Sequence, residues 1–207
     1  MRSLVVDDDA AVRQAALDWC REYLARDHAG VGRDGAVCPF VESAMRAGTL
    51  VVEIRRTGPV LAPAAVDALI RDMIATFQAR HWPHRNRLLH ALVTVLPELD
   101  RRHALALDDA QAAVKRELAE AGLMLGQFHQ DCAEPAARNP SFPVSQAPIP
   151  MLALRHMALH DVLFLADDPD CFAAYRNRFG DRYRDGAVPD PYFVQLYRQA
   201  AARFGDE

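Results

Sequence analysis

Between Ala10 and Arg26 apolar side chains return every three or four positions, with Val12, Ala16, Trp19, Cys20 and Tyr23 on one stripe. That is the spacing of an amphipathic helix. Asp7-Asp8-Asp9 offers caps and favourable charge at its start, and Gly30 and Gly32 end it. A loop through Val37-Cys-Pro-Phe-Val41 follows, where Pro39 blocks helix at Cys38. Thr49 to Arg55 is β-branched and apolar, which predicts a strand. Pro63 sits where a first-turn proline belongs, and Val66, Leu69, Ile70, Met73, Ile74 and Phe77 trace one face of a helix ending near His81. His90 to Leu96 alternates as a second strand stopped by Pro97. Asp108 or Asp109 caps a third helix running through Glu120, Gly122 closes it, and Leu123 to His129 reads as a third strand.

The next segment holds Pro135, Pro140, Pro143, Pro148 and Pro150, yet Phe142, Val144, Ile149 and Met151 demand burial, so it is irregular and packed. Met151 to Leu165 contains a strand, a helix, or one and then the other, because periodicity does not decide a short apolar run. Helices over Asp170–Phe179 and Pro191–Phe204 end the pattern. A helix, a βαβαβ run, an irregular loop and two helices predict an α+β fold. The expectation is a single domain over residues 1–207, a mixed or antiparallel sheet covered by helices as an α/β sandwich.

Composition narrows the function. Half of the 207 residues are apolar, enough for a core without staples, and the formal net charge is -4, against the basic excess of a nucleic-acid binder. Cys20, Cys38, Cys132 and Cys171 are scattered with no CxxC pair, which argues against a zinc knuckle and for reduced thiols. The acidic start does not read as a secretory leader, and no apolar run reaches the ~18–20 residues of a membrane span. A cytoplasmic protein with no membrane or nucleic-acid partner is the expectation. A glycine-rich phosphate loop, a dinucleotide fingerprint, a GxSxG elbow and an HExxH pair are all absent.

Chemistry concentrates between Gln127 and Asp161. In Gly126-Gln-Phe-His129 a glycine admits close backbone approach, and His129 falls at a strand end, either aimed into a pocket or half-exposed there. In Leu154-Arg-His-Met-Ala-Leu-His-Asp161, a helix would set His156 and His160 one turn apart, as a metal pair completed by His129 or Asp161. The plainer reading has one histidine in the core and the other in solvent. Cys38 is a thiolate candidate or a small core residue. Arg138 and Arg155 could fork a carboxylate, haem propionates included, or pair with surface acids.

The order CPF loop, strand–helix units, GQFH, Asn-Pro-x-Phe-Pro and LRHMxxHDxxFL looks like that of an uncharacterised family of small bacterial proteins. More distantly it resembles the YqcI/YcgG family of haem-dependent enzymes that N-hydroxylate amino-acid-like substrates. The resemblance spans about residues 37 to 160. It implies that Cys38 stands for that family's loop cysteine, and His129 and His156 for its GLH and NLH histidines. Glutamine follows His129 where that family has proline, and LRH stands for NLH.

Three functions follow as expectations. The first is a haem-binding oxidoreductase acting on a small amino-acid-like molecule. His129 or His156 is its axial ligand, Phe128, Phe142, Ile149, Met151 and Leu152 line the slot, and Arg138 or Arg155 meets the propionates. The second is a non-haem metal enzyme using His129, His156, His160 or Asp161. The third is a non-catalytic binding or accessory module, paired as a homodimer through its sheet or C-terminal helices.

Overall fold

The computed structural model describes residues 9–205, so Asp7 and Asp8 of the expected cap lie outside the described residues. Helix α1, Asp9–Trp19, widens into a π turn over Cys20–Leu24. The chain then folds back, Val37 and Cys38 donating backbone N–H bonds to Arg26 and Leu24, and enters a short helix α2, Val41–Arg46. Strand β1 (Leu50–Ile54), helix α3 (Pro63–Ala79) and strand β2 (Ala91–Val95) form a β–α–β unit whose two strands pair in parallel. Helix α4 (Ala106–Ala121) leads through Gly122, at φ 72°, into β3 (Leu123–Phe128). A small hairpin of β4 (Pro135–Ala136) and β5 (Asn139–Pro143) follows, then β6 (Met151–His156). Helices α5 (Val162–Leu165), α6 (Pro169–Arg184) and α7 (Pro191–Phe204) complete the described chain.

The main sheet has the order β1-β2-β6-β3 and is mixed, because β6 runs antiparallel to β2. The fold is therefore α+β, with an open four-stranded sheet and the small β4–β5 sheet. By contact the chain divides into two compact units. One comprises the residues through Ala112 together with Leu125–Arg155, and the other comprises Ala113–Met124 and the residues from His156 onward.

In the first unit, strand alternation sends Val93 and Val95 of β2 and Met151 of β6 to one face, where they pack with Val12 and Ala16 of α1. Leu92 and Leu154, paired across β2 and β6, are equally closed to solvent. Both faces of the central strands are thus buried, which is why their apolar runs are nearly continuous. Val66, Ile70, Met73 and Phe77 are the buried stripe of α3. The proline-rich hairpin is tied down by Tyr23 donating to the Val144 carbonyl (2.9 Å) and Asn139 donating to that of Gly30 (2.8 Å). Phe142 stacks on His28 and lies so close over Gly30 that a Cβ there would come within 2.6 Å of its ring.

The second unit is built on aromatic packing. Phe172, Tyr175 and Tyr197 are buried with Met157, Val162 and Leu165. Asp168 caps α6 by accepting from the Asp170 and Cys171 amides, and Asp190 caps α7 the same way, each followed by a first-turn proline. Tyr175 donates to the Leu159 carbonyl (2.5 Å), and its hydroxyl lies 2.6 Å from that of Tyr183, whose ring stacks on Tyr197. Burial, with Tyr183 beside it, holds the Tyr175 phenol above its ordinary range.

Two outcomes follow. Tyr175→Phe strips the Leu159 carbonyl and the Tyr183 hydroxyl of a partner and should cost roughly 1–3 kcal/mol in urea unfolding. Burial, with Cys38 adding to it, pushes the Cys20 thiol up to about 12 from 9.0. The folded chain thus holds that proton more tightly than the unfolded chain, so this contribution is complete below pH 9 and is lost as pH rises towards 12. Urea midpoints should fall between pH 9 and 11, and Cys20→Ala should shallow that fall.

Candidate metal centre

His129 is the first residue beyond β3, and its position is over-determined by backbone bonds. Its carbonyl accepts from Cys132 N (3.2 Å), closing a tight turn, and from Ala147 N (3.1 Å), while the residue bridges to Gln146. The side chain is fully buried, so the half-exposed strand-end histidine considered from the sequence is not what forms. Strand alternation sends Gln127 and His129 to one side and Phe128 to the other, where Phe128 meets the Trp19 ring edge-on at 5.3 Å.

On the inner side the imidazole meets Asp108, in the first turn of α4, where the helix dipole favours a carboxylate. His129 Nε2 lies 3.0 and 3.1 Å from the two carboxylate oxygens. Cys132, buried at the end of the turn, donates its thiol to Asp108 Oδ1 at 3.6 Å, and the Gln127 amide lies 4.0 Å from its sulfur. Burial, with the Asp108 charge adding to it, pushes the Cys132 thiol up to about 11. One ligand atom each from Asp108, His129 and Cys132 thus gathers within 4.8 Å. Nδ1 of His129 is buried and has no hydrogen-bond partner. Outside this cluster, Arg101 grips Asp131 with Nε 2.5 Å from Oδ2 and a second nitrogen on Oδ1. That fork holds the Asp131 carboxyl below its ordinary range.

The other residues singled out from sequence fall elsewhere. Cys38 packs beside Cys20, Leu24 and Val41. Arg138 lies in the turn between β4 and β5, its carbonyl close against Gly32. Arg155 sits with its guanidinium 5.8 Å from the Phe40 ring centre. Phe128, Ile149 and Met151 share the cluster on α1, whereas Phe142 lies on His28. His156 and His160 belong to the second unit, and the helical pairing considered for them does not form. His156 ends strand β6, and His160 lies in the 3-10 turn Leu159–Asp161 with Nε2 3.5 Å from Asp161 Oδ1. The segment is extended here because Met151 to Arg155 of β6 pair with β2.

Asp108 and Cys132 do not stand out in the sequence as site candidates. Asp108 reads as an ordinary helix-capping acid. Cys132 did carry a signal, because His129-x-x-Cys132 has the two-residue spacer common among metal ligands. Among the described residues, no helix is long and apolar enough to cross a membrane. No match was found among curated proteins or among solved structures. A family model described as a domain of unknown function (DUF6875) matches residues 13–189. The span of that match takes in the αβ core and the Asp108, His129 and Cys132 cluster alike, and the chain belongs to the DUF6875 family.

Proposed function

We propose that the chain is a non-haem metal enzyme in which Asp108, His129 and Cys132 hold one zinc-class divalent cation and act on a small molecule. The observation that carries this reading is the convergence of an oxygen, a nitrogen and a sulfur donor within 4.8 Å, two of them on buried residues. Tetrahedral zinc bonds of ~2.0–2.3 Å set ligand atoms about 3.3–3.6 Å apart. The sulfur-to-oxygen separation of 3.6 Å meets that, and the nitrogen-to-oxygen separations of 3.0 and 3.1 Å need to open by only a few tenths of an ångström. A soft thiolate with an imidazole and one carboxylate suits zinc far better than magnesium or calcium. Three protein donors leave a position for water or substrate, and a bound cation there supplies Lewis-acid activation of a water at neutral pH. The half-exposed Asp108 gives that position its access to solvent, its side chain being 31% exposed against 0% for His129.

A second reading keeps the haem implied by the YqcI/YcgG resemblance, with an amino-acid-like substrate, on the same imidazole. It is favoured by the full burial of His129 and by the carboxylate on one ring nitrogen, the partner that tunes a histidine ligand. Iron on either ring nitrogen would leave Cys132 without a role, whereas the three-donor centre engages all three converging groups once the Nε2–Asp108 hydrogen bond gives way to the metal, and it therefore comes first.

Freshly purified protein should contain about one equivalent of zinc or a related metal by elemental analysis, with no Soret band. Cobalt reconstitution should give thiolate-to-cobalt absorbance that Cys132→Ser abolishes. His129→Ala and Asp108→Ala should each weaken metal uptake by at least about tenfold to a hundredfold. Metal at about a hundredfold over Kd should stabilise the fold by about 2.7 kcal/mol, a gain a chelator reverses. A Soret band lost in His129→Ala would put the haem reading first. Protein that takes up neither metal nor haemin would leave a non-catalytic module.

A further inference from the structure

We infer that Arg101 and Asp131 form an outer latch that closes the Asp108–His129–Cys132 donor set, making both positioning residues for the metal; this rests on the metal reading above. Asp131 lies inside the turn that carries two of the donors, between His129 and Cys132, and that turn is closed by the Cys132 amide on the His129 carbonyl at 3.2 Å. Arg101 lies in the 3-10 turn Arg101–His103 just ahead of α4, the helix that carries the third donor. Asp100 fixes that turn by accepting from the Arg102 amide at 2.9 Å. The guanidinium takes both oxygens of Asp131, Nε to Oδ2 at 2.5 Å and Nη2 to Oδ1. A bidentate fork fixes direction as well as distance, which one ammonium–carboxylate contact does not.

The fork therefore ties the same two segments that the metal must join. A clamp outside the donors holds the segments at ligand spacing without occupying any ligand atom. Exposed ion pairs ordinarily contribute little to stability, and Arg101 and Asp131 are 63% and 45% exposed. The expected effect is accordingly on metal affinity, with little change in the melting temperature of the metal-free protein.

The test is zinc affinity by competition with a chromophoric chelator, alongside melting of the metal-free protein. Arg101→Ala and Asp131→Asn should each weaken zinc about tenfold, the usual scale for an outer-shell partner. The double variant should be no weaker than either single one, because both remove the same fork. Arg101→Lys should recover only part of the affinity, and the exchange of Arg101→Asp with Asp131→Arg more of it than either half alone. Arg116→Ala, which removes an exposed fork on Asp168 and Asp170 in the second unit, should leave affinity unchanged. Zinc binding that is intact in wild type and insensitive to Arg101→Ala and Asp131→Asn overturns the latch alone. So does a loss matched by an equal fall in metal-free melting temperature, or by Arg116→Ala. Wild-type protein that binds no zinc overturns the metal centre, and the latch with it.

Discussion

A single carboxylate organises the centre of the first unit. Asp108 stands at the start of α4 and takes the imidazole of His129 from the end of β3 and the thiol of Cys132 from the turn beyond. Each contact commits a polar group to a place where water does not reach it. Removing the carboxylate would leave the fully buried His129 with no partner at either ring nitrogen, since Nδ1 already has none. An uncompensated buried polar group costs about 1–3 kcal/mol, more when charged, so helix start, strand end and turn are held to one relative geometry.

Strand geometry explains why these side chains meet. β3 enters straight from α4 through the positive-φ Gly122, and its pleat assigns Gln127 and His129 to one side. Phe128 takes the other side, against Trp19, so the packing on α1 fixes the rotation of the strand and with it the aim of the histidine. A slip of one residue would exchange the two faces and bring Phe128 to Asp108. Apolar packing on one face of β3 thereby sets the polar geometry on the other.

Much of this was legible in the residues. The long helices showed because their stripes are regular and their ends are marked, Pro63 at one start, Pro191 at another, Gly122 after a third. β1 and β2 showed through β-branched alternation. β6 was ambiguous because a strand buried on both faces loses its alternation, and only pairing with β2 decides it. The short α2 and the β4–β5 hairpin were unreadable, the first because six residues carry too little periodicity, the second because its prolines and its anchoring to Tyr23 and Gly30 are tertiary matters. At the site, His129 stood out by its place at a strand end. Asp108 did not, since a helix-capping acid and a metal-binding acid have the same local sequence. Cys132 has no second cysteine near it in sequence, although it does have the two-residue spacing to His129. His160 drew on a helical spacing that the chain does not adopt, and His156 on that spacing and on its likeness to a family histidine.

The polar trio is also a poor way to stabilise a fold, and that bears on what it is for. Apolar residues of similar volume filling the space of Asp108, His129 and Cys132 would need no desolvation of a carboxylate and leave no ring nitrogen unpaired; such replacements are often neutral or stabilising. The same unit shows what its apolar packing achieves elsewhere, around Val93, Val95 and Met151. Three groups of different chemistry converge where burial pushes the thiol up to about 11, beside a half-open carboxylate. Under the proposed metal reading a cation would give all three a common partner, its charge offsetting that of carboxylate and thiolate together.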